Sequence, residues 1–218
     1  MLTPGNNAYP SSEPYEITAG PDGALWFIEY AGNKIGRVVV TTAVLSASPP
    51  SSSPGSTLTL TGSGFVPGES VKLYADATGV NLLVTANADS GGALVVTGKG
   101  HQALYGPHSL VGVGQTSARL GVAPLFITPR LIFDPATGAP GSAITVQGFG
   151  FGAIERVSVY WDSPRLLLGN ATTDGKGSFA ADAGLSFTIP AQARSGINGV
   201  FAQGQWTLAL GKGYVNVQ

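Results

Sequence analysis

The chain has 218 residues with a net charge of −1, and only 11% of them are charged. That balance, without a basic stripe anywhere, excludes the electrostatic footprint of a nucleic-acid binder. Cys is absent, which excludes disulfides, thiolate zinc sites and cysteine nucleophiles, while 43% hydrophobic residues supply a packed core and exclude disorder. Met1-Leu2-Thr3-Pro4-Gly5 lacks the basic and apolar regions of a secretory leader. No apolar run approaches the ~20 residues of a membrane span. Low charge with Thr/Ser/Gly/Val-rich segments suits an exported β-protein, so the expected location is extracellular or on the cell surface, with the leader absent from this sequence.

The first segment, residues 1–42, reads as β structure. Gly20-Pro21-Asp22-Gly23 is a hairpin turn, Leu25-Trp26-Phe27 a strand and Asn33-Lys34-Ile35-Gly36-Arg37-Val38 the next. These residues, over positions 5–40, resemble one blade of a streptogramin (virginiamycin B) lyase propeller. Propellers close with four to eight blades. The resemblance therefore implies either the last blade of a longer propeller or a blade reused as an edge hairpin. It also implies a Glu, a His two residues later and a second Glu sixteen after the first, with the carboxylates holding magnesium. Glu13 and Glu29 keep that spacing, but Tyr15 stands where the His would be, and Tyr titrates near ~10. Glu29 is read as a strand-end residue. No catalytic residue, metal site or cofactor is assigned.

Residues 43–54, around Ser48-Pro49-Pro50-Ser51-Ser52-Ser53-Pro54, read as a semi-rigid linker. An internal repeat follows. Pro54-Gly55-Ser56-Thr57-Leu58-Thr59-Leu60-Thr61-Gly62-Ser63-Gly64-Phe65 matches Pro140-Gly141-Ser142-Ala143-Ile144-Thr145-Val146-Gln147-Gly148-Phe149-Gly150-Phe151 at a constant offset of 86. Glu69/Glu155, Val71/Val157 and Tyr74/Tyr160 continue it, so 10 of 21 aligned pairs are identical, too many for chance. Asp89-Ser90-Gly91-Gly92 matches Asp174-Gly175-Lys176-Gly177; Gly114-Gln115 and Leu120-Gly121 match Gly204-Gln205 and Leu210-Gly211. A unit of nearly 90 residues has the size of one seven-stranded sandwich. Period-2 alternation supports strands at Thr57–Thr61, Val71–Tyr74, Ala143–Gln147, Arg156–Tyr160 and Trp206–Leu210. Gly-x-Gly-Phe bends the chain, with Phe65 and Phe151 plugging the core edge. Val66-Pro67-Gly68-Glu69 is a tight turn; Ala153-Ile154 replaces its Pro-Gly in the second copy and predicts a different turn type.

These repeated residues resemble the Ig-like repeats of bacterial surface and adhesion proteins, including TIG or IPT domains, over about residues 45–218. The expected fold is all-β: two tandem Ig-like β-sandwiches, at 55–127 and 128–218, preceded by a short propeller-blade-like β-hairpin segment. Short joining sequence at Ile127-Thr128-Pro129-Arg130 leaves the sandwiches little freedom.

Chemistry-bearing residues are sparse. His101 and His108 flank Tyr105-Gly106-Pro107 in a loop, without a His-x-x-x-His helix or a Gly-x-Ser-x-Gly elbow. Asp76, Asp89, Asp134, Asp162, Asp174 and Asp182 are scattered, without the clustered carboxylates calcium needs; Asp89 and Asp174 are read as turn formers. Asn170-Ala171-Thr172 fits a glycosylation sequon, read as a chance match. Candidate partner or ligand contacts are Trp161, Trp206, Tyr214 and Trp26. Of the adjacent pair Tyr160-Trp161, one side chain should be core and one exposed. The expected function is a non-catalytic secreted or cell-surface structural or adhesive module, self-assembling by strand addition through its N-terminal β segment, with a surface glycan or protein as a further partner. The alternatives are the C-terminal fragment of a streptogramin lyase-like propeller protein, or a carbohydrate-binding module using Trp161 or Trp206.

Overall fold

A computed structural model describes residues 14–20, 25–38, 42–162, 166–180 and 184–218. The described residues are strands and turns with no helix, so none is long and apolar enough to cross a membrane. The chain divides into two compact units, residues 1–42 and 43–218.

The first unit is a three-stranded antiparallel sheet, β1 (Pro14–Ala19), β2 (Leu25–Glu29) and β3 (Lys34–Val38), in the order β1-β2-β3. A sheet of three strands thus takes the place of the expected hairpin. The register of β1 slips at Glu16, whose φ of 53° marks a bulge. Asn33, at φ 49°, turns the chain from β2 into β3. Gly36 is demanded by packing: a Cβ there would overlap the Phe27 ring lying across it. The Gly20-Pro21-Asp22-Gly23 turn falls mostly outside the described residues, as does Glu13.

The second unit is two β-sandwiches. In the first, β4 (Val44–Ser48), β6 (Thr57–Ser63) and β9 (Leu94–Lys99) form one sheet in the order β4-β6-β9. The facing sheet holds β5 (Ser51–Ser52), β7 (Ser70–Ala75), β8 (Leu82–Asn87), β10 (Gly106–Gly114) and β11 (Leu120–Ile127), in the order β5-β11-β10-β7-β8. The second sandwich repeats this. Its smaller sheet is β12 (Arg130–Asp134), β14 (Ala143–Phe149) and β17 (Leu185–Thr188), in the order β12-β14-β17. Its larger sheet is β13 (Thr137–Gly138), β15 (Arg156–Trp161), β16 (Leu166–Thr172), β18 (Gly196–Gly204) and β19 (Leu210–Val217), in the order β13-β19-β18-β15-β16. In each copy the opening strand switches sheets, pairing antiparallel first (β4 with β6, β12 with β14) and then parallel (β5 with β11, β13 with β19). Both are Ig-like sandwiches.

Inward positions alternate as period 2 requires. Leu58, Leu60, Val71 and Leu73 enter one core, and Ile144, Val146, Val157 and Val159 enter the other. Phe65 and Phe151 are buried at the core edges. Their motif works through a positive φ at Gly64 (79°) and Gly150 (74°), and through Gly92 and Gly177, whose own Cβ atoms would strike the Phe65 and Phe151 carbonyl oxygens.

Three expectations are corrected. Residues 43–54 are not a linker: Leu45 is a core residue on β4, whose Val44–Ser48 backbone is satisfied by β6, so Ser and Pro content misled. Of Trp206–Leu210 only Leu210 is strand, the start of β19; Trp206, Thr207, Leu208 and Ala209 belong to a hairpin turn closed by Gly204 N–H to Ala209 O at 2.9 Å, with Leu208 at φ 58°, and the alternation of apolar residues is incidental. The turn at Ala153-Ile154 keeps the left-handed conformation of the first copy, φ 51° at Ile154 against 75° at Gly68. What changes is its closure. Glu69 N–H donates to Val66 O at 3.1 Å, as in a type II turn. In the second copy the Thr173 hydroxyl is inserted instead, donating to Gly152 O (2.7 Å) and accepting from Glu155 N–H (2.9 Å).

The two sandwiches are joined by packed contacts. Tyr105 N–H donates to Phe151 O at 3.1 Å, and its ring lies edge-on to Phe126 at 5.4 Å while packing on the second core. Gln102 donates to Lys176 O and Ser178 Oγ. Arg130 donates to Pro54 O at 3.3 Å, and the Ser53 and Thr128 hydroxyls share a 3.0 Å bond.

Candidate functional site

Among the described residues, the most highly bonded side chains are two buried carboxylates at equivalent repeat positions. Glu69 Oε1 accepts from Val66 N–H at 2.6 Å, and its two oxygens take the N–H and hydroxyl groups of Thr116 and Ser117 at 2.8–3.2 Å. Glu155 accepts from Gly152 N–H at 2.6 Å, from Trp206 and Thr207 N–H at 3.2 and 3.1 Å, and from the Thr207 hydroxyl at 2.8 Å. Each ties the start of β7 or β15 to the turn between the last two strands. Gly114 and Gly204 leave the room: a Cβ on either would collide with the carboxylate. Burial pushes the Glu69 carboxyl up, but the donors from Val66, Ser117 and Thr116 outweigh it and hold it at about 2. Glu155 is likewise lowered, with burial opposed and overcome by Thr207, Gly152 and Trp206. These carboxylates are consumed by structure. Their identity at one offset, at the start of a core strand, was the sequence signal for them.

Asp89 and Asp174 are turn formers. Asp89 Oδ1 accepts from Gly91 and Ala93 N–H (2.8 and 2.9 Å), Asp174 Oδ1 from Lys176 and Ser178 N–H (2.8 and 2.9 Å). Backbone donors at Ala93 and Gly91 lower the Asp89 carboxyl. His108 Nε2–H donates to Leu104 O at 2.8 Å, and its Nδ1 lies 2.9 Å from Asp76 Oδ1. His101 sits edge-on to His108 at 6.5 Å, its proton affinity lowered first by burial. The cluster braces the loop that carries Leu104 and Tyr105 to the second sandwich. Among the described residues no three His, Asp or Glu side chains gather as metal ligands.

The four aromatic candidates separate. Trp161 is no surface contact: it is 5% exposed and packs on Phe187 in the core, because β15 points it inward. Trp206 is 74% exposed, at the turn held by Glu155. Tyr214 is exposed on β19, with Lys212 Nζ 5.0 Å from its ring centroid and 5.2 Å from that of Phe201. Trp26 is half-buried on β2, with the Arg37 guanidinium 5.5 Å over its ring.

The structure brings together a set the sequence analysis did not single out. The outer face of β15, β16 and β18 carries Asn170–Ser158–Gln203 in one row and Leu167–Tyr160–Phe201 in the next, with Arg156 at the end. All of these but Phe201 line a depression of about 440 Å³, closed by Gln205 and Leu208. Ser158 O–H donates to Asn170 Oδ1 at 2.8 Å, which turns the amide N–H groups of Asn170 away from it. The signal for these residues lay in the outward positions of Arg156-Val157-Ser158-Val159-Tyr160.

No protein-family model matches the chain, and no curated protein matches it. Among solved structures it is similar to a tetra-tandem repeat in the extending region of a large adhesion protein (16% identity, TM-score 0.37, covering 93% of this chain and 62% of that one). It is also similar to the human OSCAR ligand-binding domain (14%, 0.31, covering 81% and 98%). A third is a Ca2+-stabilized adhesin with which an Antarctic bacterium reaches out and binds ice (13%, 0.28, covering 93% and 55%). The chain thus spans less than two thirds of the two adhesins. Scores this low leave the fold to rest on the sheets and cores described above.

Proposed function

We propose that the chain is a non-catalytic secreted or cell-surface structural or adhesive module. In this reading the joined sandwiches are a stiff carrier, and the N-terminal sheet is an assembly element. The observation that carries it is the interface of Gln102 and Leu104 with the Asp174–Ser178 turn and of Tyr105 with Phe151, which welds two copies of one sandwich. Three of the buried polar side chains, Glu69, Glu155 and Thr173, are spent on holding turns, which suits a scaffold. Labelling intact source cells with antibody to this chain tests the location: signal before lysis supports it, and signal only after lysis overturns it.

Self-association has its own support. The first unit exposes Tyr15, Ile17, Ile35 and Val38. Its face holds an apolar hollow of about 280 Å³, lined in part by Ile17, Phe27 and Ile35, and β1 and β3 are its edge strands. Light scattering of residues 1–218 beside 43–218, the latter being a compact unit with its own cores, decides it. Assembly of the full chain with a monomeric truncation is expected; two monomers would remove the assembly role.

A further inference from the structure

We propose that the depression on the outer face of the second sandwich's larger sheet binds an acidic sugar residue, a uronate within a polysaccharide. The two copies supply an internal control. What the fold requires is shared by both; what one copy adds is not required by the fold. At the equivalent face the first sandwich carries Thr85–Lys72–Val113 and Leu82–Tyr74–Val111, with Ser70 in the place of Arg156. There Gln115 is bonded to Val113 O at 2.9 Å. The second sandwich places Asn170, Gln203 and Gln205 where the first has Thr85, Val113 and that self-bonded Gln115. None of this change serves the core.

The chemistry of the set selects the ligand. Arg156 presents a guanidinium without a carboxylate partner among the described residues, and no Asp or Glu lines the depression. A planar guanidinium pairs bidentately with a carboxylate. Amides that both donate and accept match vicinal hydroxyls, and Asn170 is pre-aimed by Ser158. Tyr160, Leu167 and Leu208 offer apolar surface to the C–H face of a ring. The volume of about 440 Å³ falls within the ~300–1,000 Å³ of small-ligand sites. One lone cation is too little for a polyphosphate, which needs several. An open hollow on a sheet face, rather than an enclosed pocket, lets a polymer chain run through it.

The proposal deepens the adhesive reading and rests on it only for where the sugar is met; binding in solution is decided independently of cell labelling. Calorimetry of residues 1–218 with oligogalacturonate, its methyl ester and dextran oligomers is the test. Binding of the acid with at least tenfold preference over the ester and over dextran is expected. Arg156→Gln should weaken it about tenfold, the loss of a charge-assisted hydrogen-bond pair, and Arg156→Lys less. Lys72→Gln on the first sandwich should leave it unchanged. Arg156 is exposed, so an unaltered melting curve certifies the fold of the variants. No binding of the acid, equal binding of acid and ester, or full binding by a folded Arg156→Gln variant would overturn the proposal.

Discussion

The two sandwiches solve one folding problem twice, and they differ where only local chemistry is at stake. In the first, a Pro-Gly turn closes on itself between Val66 and Glu69; in the second, Ile154 holds a left-handed conformation that a β-branched residue disfavours, and Thr173 replaces the missing closure. Ala88 occupies the position of Thr173 in the first copy; it has no hydroxyl to insert, and reaches the turn only through its backbone, accepting from Gly68 N–H at 3.1 Å. A turn is therefore held either by its own residues or by a neighbour's hydroxyl. Both routes leave the buried carboxylate in the same place.

The largest break in this symmetry comes from removing the carboxylates. Glu69→Ala or Glu155→Ala leaves several partly buried N–H groups without their acceptor and should cost about 3 kcal/mol, read by chemical denaturation, each variant unfolding its own sandwich first. The sign with pH follows from the lowered values. Glu69 has its folded value at about 2 against 4.5 for the free group. Its stabilisation is complete above 4.5 and is lost as pH falls towards 2. Glu155, also lowered, acts in the same direction. Glu69→Gln should flatten the acid limb of stability for the first sandwich only; an unchanged slope would refute the linkage.

Thr173→Ala comes next. It leaves Gly152 O and Glu155 N–H unpaired and should cost about 2 kcal/mol. Adding Ala153→Pro with Ile154→Gly rebuilds the first copy's turn and should recover part of that loss, visible as coupling in a double-mutant cycle. Strict additivity would show that the two closures are not interchangeable. Smallest is Ile154→Gly alone. Relief of the left-handed strain, partly offset by a freer unfolded chain, should raise stability by about 1 kcal/mol, whereas Gly68→Ala should lower it by a similar amount. A loss on Ile154→Gly would mean that its exposed side chain packs better than its backbone suggests.

Much of this was written at the level of the chain. The constant offset, the alternation in β6, β7, β14 and β15, and the Gly-Phe bends predicted two sandwiches because each is a local pattern with one physical solution. The strand at Val44–Ser48 was equally local, since Leu45 and Pro49 recur as Leu131 and Pro135, but its Ser and Pro content obscured the match. Trp206–Leu210 failed for the opposite reason: it alternates like a strand, yet Glu155, 51 residues away in sequence from Trp206, takes its N–H groups and makes it a turn.

The all-β class, the duplication, the Phe65 and Phe151 plugs at the core edges and the turn-forming Asp pair were legible in the chain alone, because these follow from periodicity and from the backbone angles Gly and Asp permit. Only the tertiary structure decided that Trp161 is core and Trp206 surface, that Tyr105 belongs to the second sandwich's packing, and that Arg156, Asn170 and Gln203 share one hollow. The physical reason is strand pairing. Residues far apart in sequence become neighbours through inter-strand register, and no residue's own chemistry fixes which partner strand lies beside it.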